Sequence, residues 1–286
     1  MASDNMRGSL WMMGSMAGFA LEDGFLKAAA GAVPLGEVLL VEGILGVLWF
    51  SAMALRAGAL PLPRAVLSRT MAIRSGFELV GRLFYAIAIA LTPISVASAI
   101  LQATPLVVVP GAAILFREQV GPFRWALILA GFLAVLLILR PGLDGFSALS
   151  LLALTGMLGF AGRDLATRAA PPALSNAQLG VAGFTVLGIS GLVILSVTGG
   201  IALPSIYATT LLAGASGFGI AGYTALTRAM RTGEVSAVTP FRYSRLVFAL
   251  AVGVLAFGER PDAQTLLGSA MIVTCGLALL TRRRIG

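Results

Sequence analysis

Along the chain, long hydrophobic runs alternate with brief polar turns. A helix needs about 20 apolar residues to cross roughly 30 Å of hydrocarbon. Ten stretches meet or approach that length, at about residues 8–28, 35–55, 71–91, 94–116, 122–140, 147–167, 177–198, 206–227, 235–257 and 264–281. The runs are continuous and do not alternate apolar with polar, which argues against a β-barrel. The connections are too short to hold a sizeable soluble domain. The pattern predicts an all-α membrane protein of ten transmembrane helices.

The pattern also repeats. From Ile94 to Pro141 two apolar spans flank the turn Arg117-Glu118-Gln119. An offset of 141 residues brings the same plan back: Val235 to Phe257 is apolar, Glu259-Arg260 makes the turn, and Thr265 to Leu280 is apolar again. Glu118 falls on Glu259, Asp23 on Asp164 and Lys27 on Arg168. Met16-Ala17-Gly18-Phe19-Ala20 falls on Met157-Leu158-Gly159-Phe160-Ala161, Ser75-Gly76-Phe77 on Ser216-Gly217-Phe218, and Gly81 on Gly222. One ungapped register through charged as well as apolar positions points to duplication rather than low complexity. Residues 1–141 are expected to form a first five-helix repeat and residues 142–286 a second. Because five is odd, the second copy enters the membrane from the opposite face. Such an inverted repeat is common among secondary transporters.

Charge orients this plan. With the N-terminus in the cytoplasm, Arg7, Arg56, Arg64, Arg69, Arg117, Arg124, Arg168, Arg228, Arg231 and Arg282-Arg283-Arg284 fall inside, and only Lys27, Arg140 and Arg260 fall outside. Both termini are therefore expected to be cytoplasmic, in a bacterial-type inner membrane. The net charge of +8 follows this rule and is not a nucleic-acid footprint. Composition agrees, with 58% hydrophobic and 11% charged residues and a mean hydropathy of +0.96. The chain has no histidine, which removes the commonest general base and metal ligand. Its one cysteine, Cys275, lies in the last span and reads as a small core residue. No Gly-rich phosphate loop is present. The expectation is no catalytic residue, no metal site and no cofactor; a membrane-embedded enzyme is disfavoured.

Charged residues well inside a span cost about 2.5–3.5 kcal/mol each on insertion scales, so they face a cavity or a partner. The third span carries Arg74, Glu78, Arg82 and Tyr85 on one helix face. The ninth carries Arg242 and Arg245, with no acidic residue within a helical turn, beside Phe241, Tyr243 and Phe248. The fourth and ninth spans hold the prolines placed inside apolar runs, Pro105, Pro110 and Pro240, and a proline frees a backbone carbonyl that needs a polar neighbour. These features predict a mid-membrane cavity lined by spans 1, 3, 4, 6, 8 and 9. Arg82, Gln102, Thr104, Tyr223, Arg242, Tyr243 and Arg245 are its expected polar groups, and Phe19, Phe77, Phe160 and Phe218 its apolar lining. Glu78 is expected either to meet a substrate ammonium or to neutralise Arg74 and Arg82. Glu22, Asp23 and Lys27 near one face, and Arg163, Asp164 and Arg168 near the other, are expected as gate ion pairs. Glu118 and Glu259 are expected to cap or tie loops. Glu42, inside the second span, has no assigned part in the cavity; it and Glu78 are the acidic groups well inside a span on which proton coupling would have to rest, and a facilitator is equally consistent.

The five-plus-five plan resembles the drug/metabolite transporter superfamily, EamA type. Ser95-Val96-Ala97-Ser98, Pro105 and Arg117-Glu118 match that family's fourth span, and Phe257-Gly258-Glu259-Arg260 with Gly268 and Gly276 match the corresponding end of the second half. One departure is Leu246, which stands where the second copy would repeat Pro105. Within the superfamily the resemblance is nearest to aromatic amino acid exporters of the YddG kind. It implies a secondary transporter working by alternating access on small metabolites, with amino acids (aromatic or other neutral) the implied substrates and export the implied direction. Its partners would be that small molecule and the lipid bilayer, and a monomer suffices. A nucleotide-sugar or phosphate-ester exchanger, or a broad-specificity drug efflux protein, remains the alternative.

Overall fold

The computed structural model describes residues 2–29, 32–91, 100–139, 149–201, 203–258 and 263–281. In hydrocarbon every backbone N–H and C=O needs an internal partner, so each apolar run closes its own hydrogen bonds as a helix. The helices are α1 (Ala2–Ala29), α2 (Leu35–Arg56), α3 (Arg69–Leu91), α4 (Thr104–Phe116), α5 (Pro122–Leu139), α6 (Ser150–Arg168), α7 (Asn176–Thr198), α8 (Ile206–Arg231), α9 (Val235–Val238), α10 (Ser244–Phe257) and α11 (Ala263–Thr281). Two short 3₁₀ turns, Arg64–Leu67 and Thr239–Tyr243, lead into α3 and join α9 to α10. No strand occurs among the described residues. Each expected span falls on helix where it is described, the fourth and ninth with an interruption. The start of the fourth span, with Ser95-Val96-Ala97-Ser98, lies outside the described residues, as do Arg140, Pro141, Glu259, Arg260 and the tail arginines.

Local chemistry sets the helix ends. Ser175 and Gln178 form a capping box on α7, at 3.2 Å and 2.8 Å, and Ser205 accepts the Ala208 amide at the start of α8. α4 ends at Arg117 in the left-handed region (φ 53°), and α10 ends at Gly258 in the same conformation (φ 66°). These two caps stand 141 residues apart.

The fourth and ninth spans are broken rather than bent. α4 begins only after a turn at Gln102 and Ala103, with Pro105 in its first turn. The ninth span stops at Val238, passes through the 3₁₀ turn that holds Pro240, and resumes at Ser244. The prolines differ in position between the two spans, yet Gln102 and Tyr243, again 141 apart, both sit at a break. Proline is accommodated at the start of a helical segment because it donates no amide there.

α2 packs along α7, α1 along α8, α3 along α6 and α5 along α11, while α1 also touches α10. Glycine sets how closely two of these pairs approach. A Cβ on Gly18 would lie 2.9 Å from the Gly222 Cα, and one on Gly159 would lie 2.7 Å from the Gly81 Cα. Backbones in contact at such points pack by van der Waals attraction, which serves where the solvent is itself apolar.

The outer surface is hydrocarbon, with Leu48, Trp49, Leu55, Ile114 and Leu133 all exposed. The interior holds Glu22, Glu42, Arg74, Glu78, Arg163, Asp164 and Arg242, all buried. A soluble protein has the reverse distribution. Among the described residues, three helical stretches, Leu35–Arg56, Asn176–Thr198 and Val235–Ala256, are long and apolar enough to cross a membrane on length and composition. The charged residues in mid-helix, Glu22 of α1, Glu42 of α2, Glu78 of α3 and Arg163 of α6, are buried.

Candidate functional site: a charged cavity at the centre of the bundle

α1, α2, α3, α6, the start of the described fourth span and the broken ninth span line a partly open cavity of about 80 Å³. Its wall includes Phe19, Glu22 and Asp23 from α1, Arg82 and Tyr85 from α3, Phe160 and Arg163 from α6, and Arg242 and Arg245 from the ninth span. Leu26, Leu35, Leu39 and Leu101 complete it with apolar surface. Sites for drug-sized ligands hold about 300–1,000 Å³. This space suits water or the charged head of a small molecule, and a larger solute requires the helices to part.

Phe19 and Phe160, which occupy equivalent places in the two halves of the sequence, form the aromatic part of the wall. The Arg245 guanidinium lies 5.3 Å from the Phe19 ring centroid, and those of Arg163 and Arg82 lie 5.2 Å and 5.9 Å from the Phe160 ring. Tyr85 meets Phe160 edge-on at 5.8 Å. Stacking of this kind holds a guanidinium in place while leaving its N–H groups free to bind oxygen.

Two ionic networks meet at the cavity. In one, Glu78 binds Arg74 at 3.1 Å and Arg163 at 3.2 Å, Arg163 binds Asp164 at 2.8 Å, and Asp164 binds Arg242. Arg74 also donates to Thr167 at 3.0 Å and to the Tyr223 hydroxyl, which lies 3.2 Å from the Leu179 carbonyl. In the other network, Arg245 binds Asp23 at 2.6 Å and Arg82 lies 3.9 Å from Glu22. The expected gate residues Glu22, Asp23, Arg163 and Asp164 thus connect chiefly to the central arginines. Asp23 and Asp164, 141 residues apart, take one ninth-span arginine each.

The structure corrects several expectations about this site. Arg242 and Arg245 line the cavity but are neutralised; their acidic partners come from other helices, 78 and 222 residues away. Glu78 is bound by Arg74 and Arg163 instead of Arg74 and Arg82, and it is sealed below the cavity wall. Phe77 faces outward at 42% exposure, because the residue next to inward-facing Glu78 is rotated about a quarter-turn around the helix. Phe218 stacks on Phe25 at 5.5 Å, also outside the cavity wall. Tyr243 turns toward α5, donating to the Ile128 carbonyl at 3.0 Å. Tyr223 and Gln102 are buried without reaching the wall, and Thr104 bonds the Leu101 carbonyl. Pro105 and Pro240 stand at the breaks and Pro110 inside α4, and none of the three lines the cavity. Phe19, Arg82, Tyr85, Phe160, Arg242 and Arg245 do. Arg74 and Glu42, which the sequence left without a part in the site, belong to the buried charge beside it.

Glu118 reaches across from the turn after α4 to the start of α9. Its two carboxylate oxygens accept the amides of Val235 and Ser236 at 2.9 Å each, and Arg124 binds Glu234 at 2.8 Å. Glu118 therefore caps the short helix that opens the ninth span.

A helical bundle with a hydrocarbon exterior and a charged central cavity is an architecture suited to a membrane carrier for small molecules. Comparison with known proteins agrees: the chain belongs to the EamA-like transporter family, which it matches twice, over residues 6–140 and 147–282. It is 29% identical over 194 residues to a riboflavin transporter of Rhizobium johnstonii, covering 67% of this chain and 63% of that protein. The matched region thus spans a little under two thirds of that relative. With the pseudopaline exporter CntI of Pseudomonas aeruginosa it is 25% identical over 264 residues, covering 91% of each. With an S-adenosylmethionine uptake transporter of Rickettsia prowazekii it is 23% identical over 192 residues, covering 66% of this chain and 64% of the other. A solved crystal structure superimposes over 100% of both chains with a TM-score of 0.77 at 20% identity, a likeness of fold.

Proposed function

We propose that the protein is an alternating-access carrier of the inner membrane that exports a small zwitterionic metabolite, with neutral and aromatic amino acids as the first candidates. The observation that carries this reading is the pairing of Arg245 with Asp23 on the cavity wall. The Arg245 side chain is 15% exposed and the Asp23 side chain 41% exposed. A substrate carboxylate can replace Asp23 on the guanidinium through two parallel hydrogen bonds. The released Asp23, with Glu22, then faces the substrate's ammonium. Phe19, Tyr85 and Phe160 offer apolar surface to its side chain. The exchange leaves both Arg245 and Asp23 paired, so binding strands neither of these two.

Residues 1–141 and 142–286 act in this reading as two inverted five-helix repeats with both termini cytoplasmic. The 141-residue offset exchanges the α1–α8 contact at Gly18 and Gly222 with the α6–α3 contact at Gly159 and Gly81, and the family match falls twice on the chain. Two such halves can rock about a central site to open it to either face. Asp164 and Arg242 would part on one side as Asp23 and Arg245 close on the other.

Purified protein in liposomes tests the reading. Vesicles are loaded with labelled aromatic and aliphatic amino acids, and separately with riboflavin and S-adenosylmethionine. Saturable efflux of amino acids, lost in Arg245→Ala, is the expected result. Efflux of riboflavin or S-adenosylmethionine with none of any amino acid would overturn it.

A further inference from the structure

Glu42 stands within the apolar run of α2 and is 1% exposed. Neither of its carboxyl oxygens has a hydrogen-bond donor among the described residues. The group that faces them is a second carboxyl, Glu22 of α1, itself 5% exposed. Gly219 of α8 makes room for both. A Cβ there would lie 3.2 Å from the Glu22 Cδ and 3.3 Å from its Oε1, and would collide with the Glu42 Oε1.

The neighbouring charges do not balance this pair. On α1, Asp23 is held by Arg245 of α10. From α3, Arg82 comes within 3.9 Å of Glu22 and makes its contact there. α7 contains no charged residue, and the charges of α8, Arg228 and Arg231, lie in its last turn. Across the cavity, Arg163 and Arg242 are held by Glu78 and Asp164. On this side three carboxyls (Glu22, Asp23 and Glu42) meet two guanidiniums, and Glu42 is the one without a contact. Two carboxyls in contact in a low-dielectric interior do not both ionise, and they bond to each other only when one carries a proton. An ionisable group placed in a membrane at this cost marks a functional site. Glu22 lines the cavity and Glu42 does not, so Glu22 is the member of the pair that cavity solvent can meet.

We propose that Glu22 and Glu42 form a proton-binding site, with one proton held between the two carboxyls and exchanged with the cavity through Glu22, and that the carrier exchanges this proton for substrate. The chemistry is one O–H bond formed or broken on a carboxyl, with water as the donor or acceptor. A substrate ammonium docked on Glu22 occupies the oxygen that the proton needs, so the two exclude each other. The exchange step, but not the proton site, rests on the zwitterion reading above.

The test begins without substrate. Infrared difference spectra of the protein in lipid nanodiscs, recorded across a jump from neutral to alkaline pH, should show a protonated-carboxyl band that disappears. The band should be absent from Glu42→Gln and from Glu22→Gln; should one variant fail to fold, the other reads the same band. A band unchanged in a folded variant overturns the site. Next, an amino acid that the wild type carries is added in lightly buffered solution, where it should release protons from the wild type and none from Glu42→Gln. Band loss without proton release overturns the exchange and leaves the site standing. A band that behaves as expected in a protein that moves no amino acid sinks the zwitterion reading alone.

Discussion

Glu78→Gln removes one negative charge from the most enclosed part of the bundle while keeping its shape. Glu78 has no exposed surface, and its two oxygens bind Arg74 at 3.1 Å and Arg163 at 3.2 Å. Breaking a buried ion pair by removing one partner costs about 3–5 kcal/mol, because the other charge stays buried. Two pairs are broken here, but they do not count equally. Arg163 retains Asp164 at 2.8 Å, whereas Arg74 keeps only the neutral Thr167 and Tyr223. One guanidinium is stranded, so the expected loss is a single increment of about 3–5 kcal/mol. That lowers the folded-to-unfolded ratio by a factor of at least about 100. Reversible unfolding in mixed detergent micelles, followed by circular dichroism, measures it. The double variant Glu78→Gln, Arg74→Met removes the stranded charge and should recover most of the loss. A single-variant loss below about 1 kcal/mol, the range of exposed ion pairs, would refute the reasoning. So would a double variant less stable than Glu78→Gln alone.

Two further predictions concern the ends of the broken spans. Arg117 holds a left-handed conformation that Gly258 holds at the other cap, so Arg117→Gly should raise stability by about 1 kcal/mol in the same unfolding measurement; a loss would show that its side chain supports the turn. Glu118→Ala leaves the Val235 and Ser236 amides without their acceptors at a helix N-terminus, a loss of about 1–2 kcal/mol. Hydrogen exchange at those two amides should accelerate about 5–30-fold while amides in α7 stay unchanged; no acceleration would deny Glu118 its capping role.

Much of the architecture was legible in the chain because membrane helices answer to a local rule. An apolar run of sufficient length must satisfy its own backbone, so the runs at 35–55, 177–198 and 206–227 emerge as α2, α7 and α8. The duplicated register was equally visible, since Phe19 and Phe160, or Asp23 and Asp164, match as letters. The broken ninth span was signalled by Pro240, although a proline marks a disturbance without telling a kink from a break. The site was legible only in part. Spacing along α3 placed Arg82 and Tyr85 on the cavity side, but a one-residue step from Glu78 turned Phe77 outward.

What the sequence by itself determined was which stretches are helices, where they end, and that charge is carried into the apolar interior. What only the tertiary structure decided was who neutralises whom. Asp164 with Arg242, Asp23 with Arg245, and Glu42 facing Glu22 across Gly219 join residues on different helices. No local spacing relates them. A helix fixes the direction of its own side chains through its 3.6-residue period, whereas the partner across a contact depends on how two helices dock. In this bundle glycines such as Gly222 and Gly219 settle that, by letting one backbone approach another closely enough for buried charges to meet.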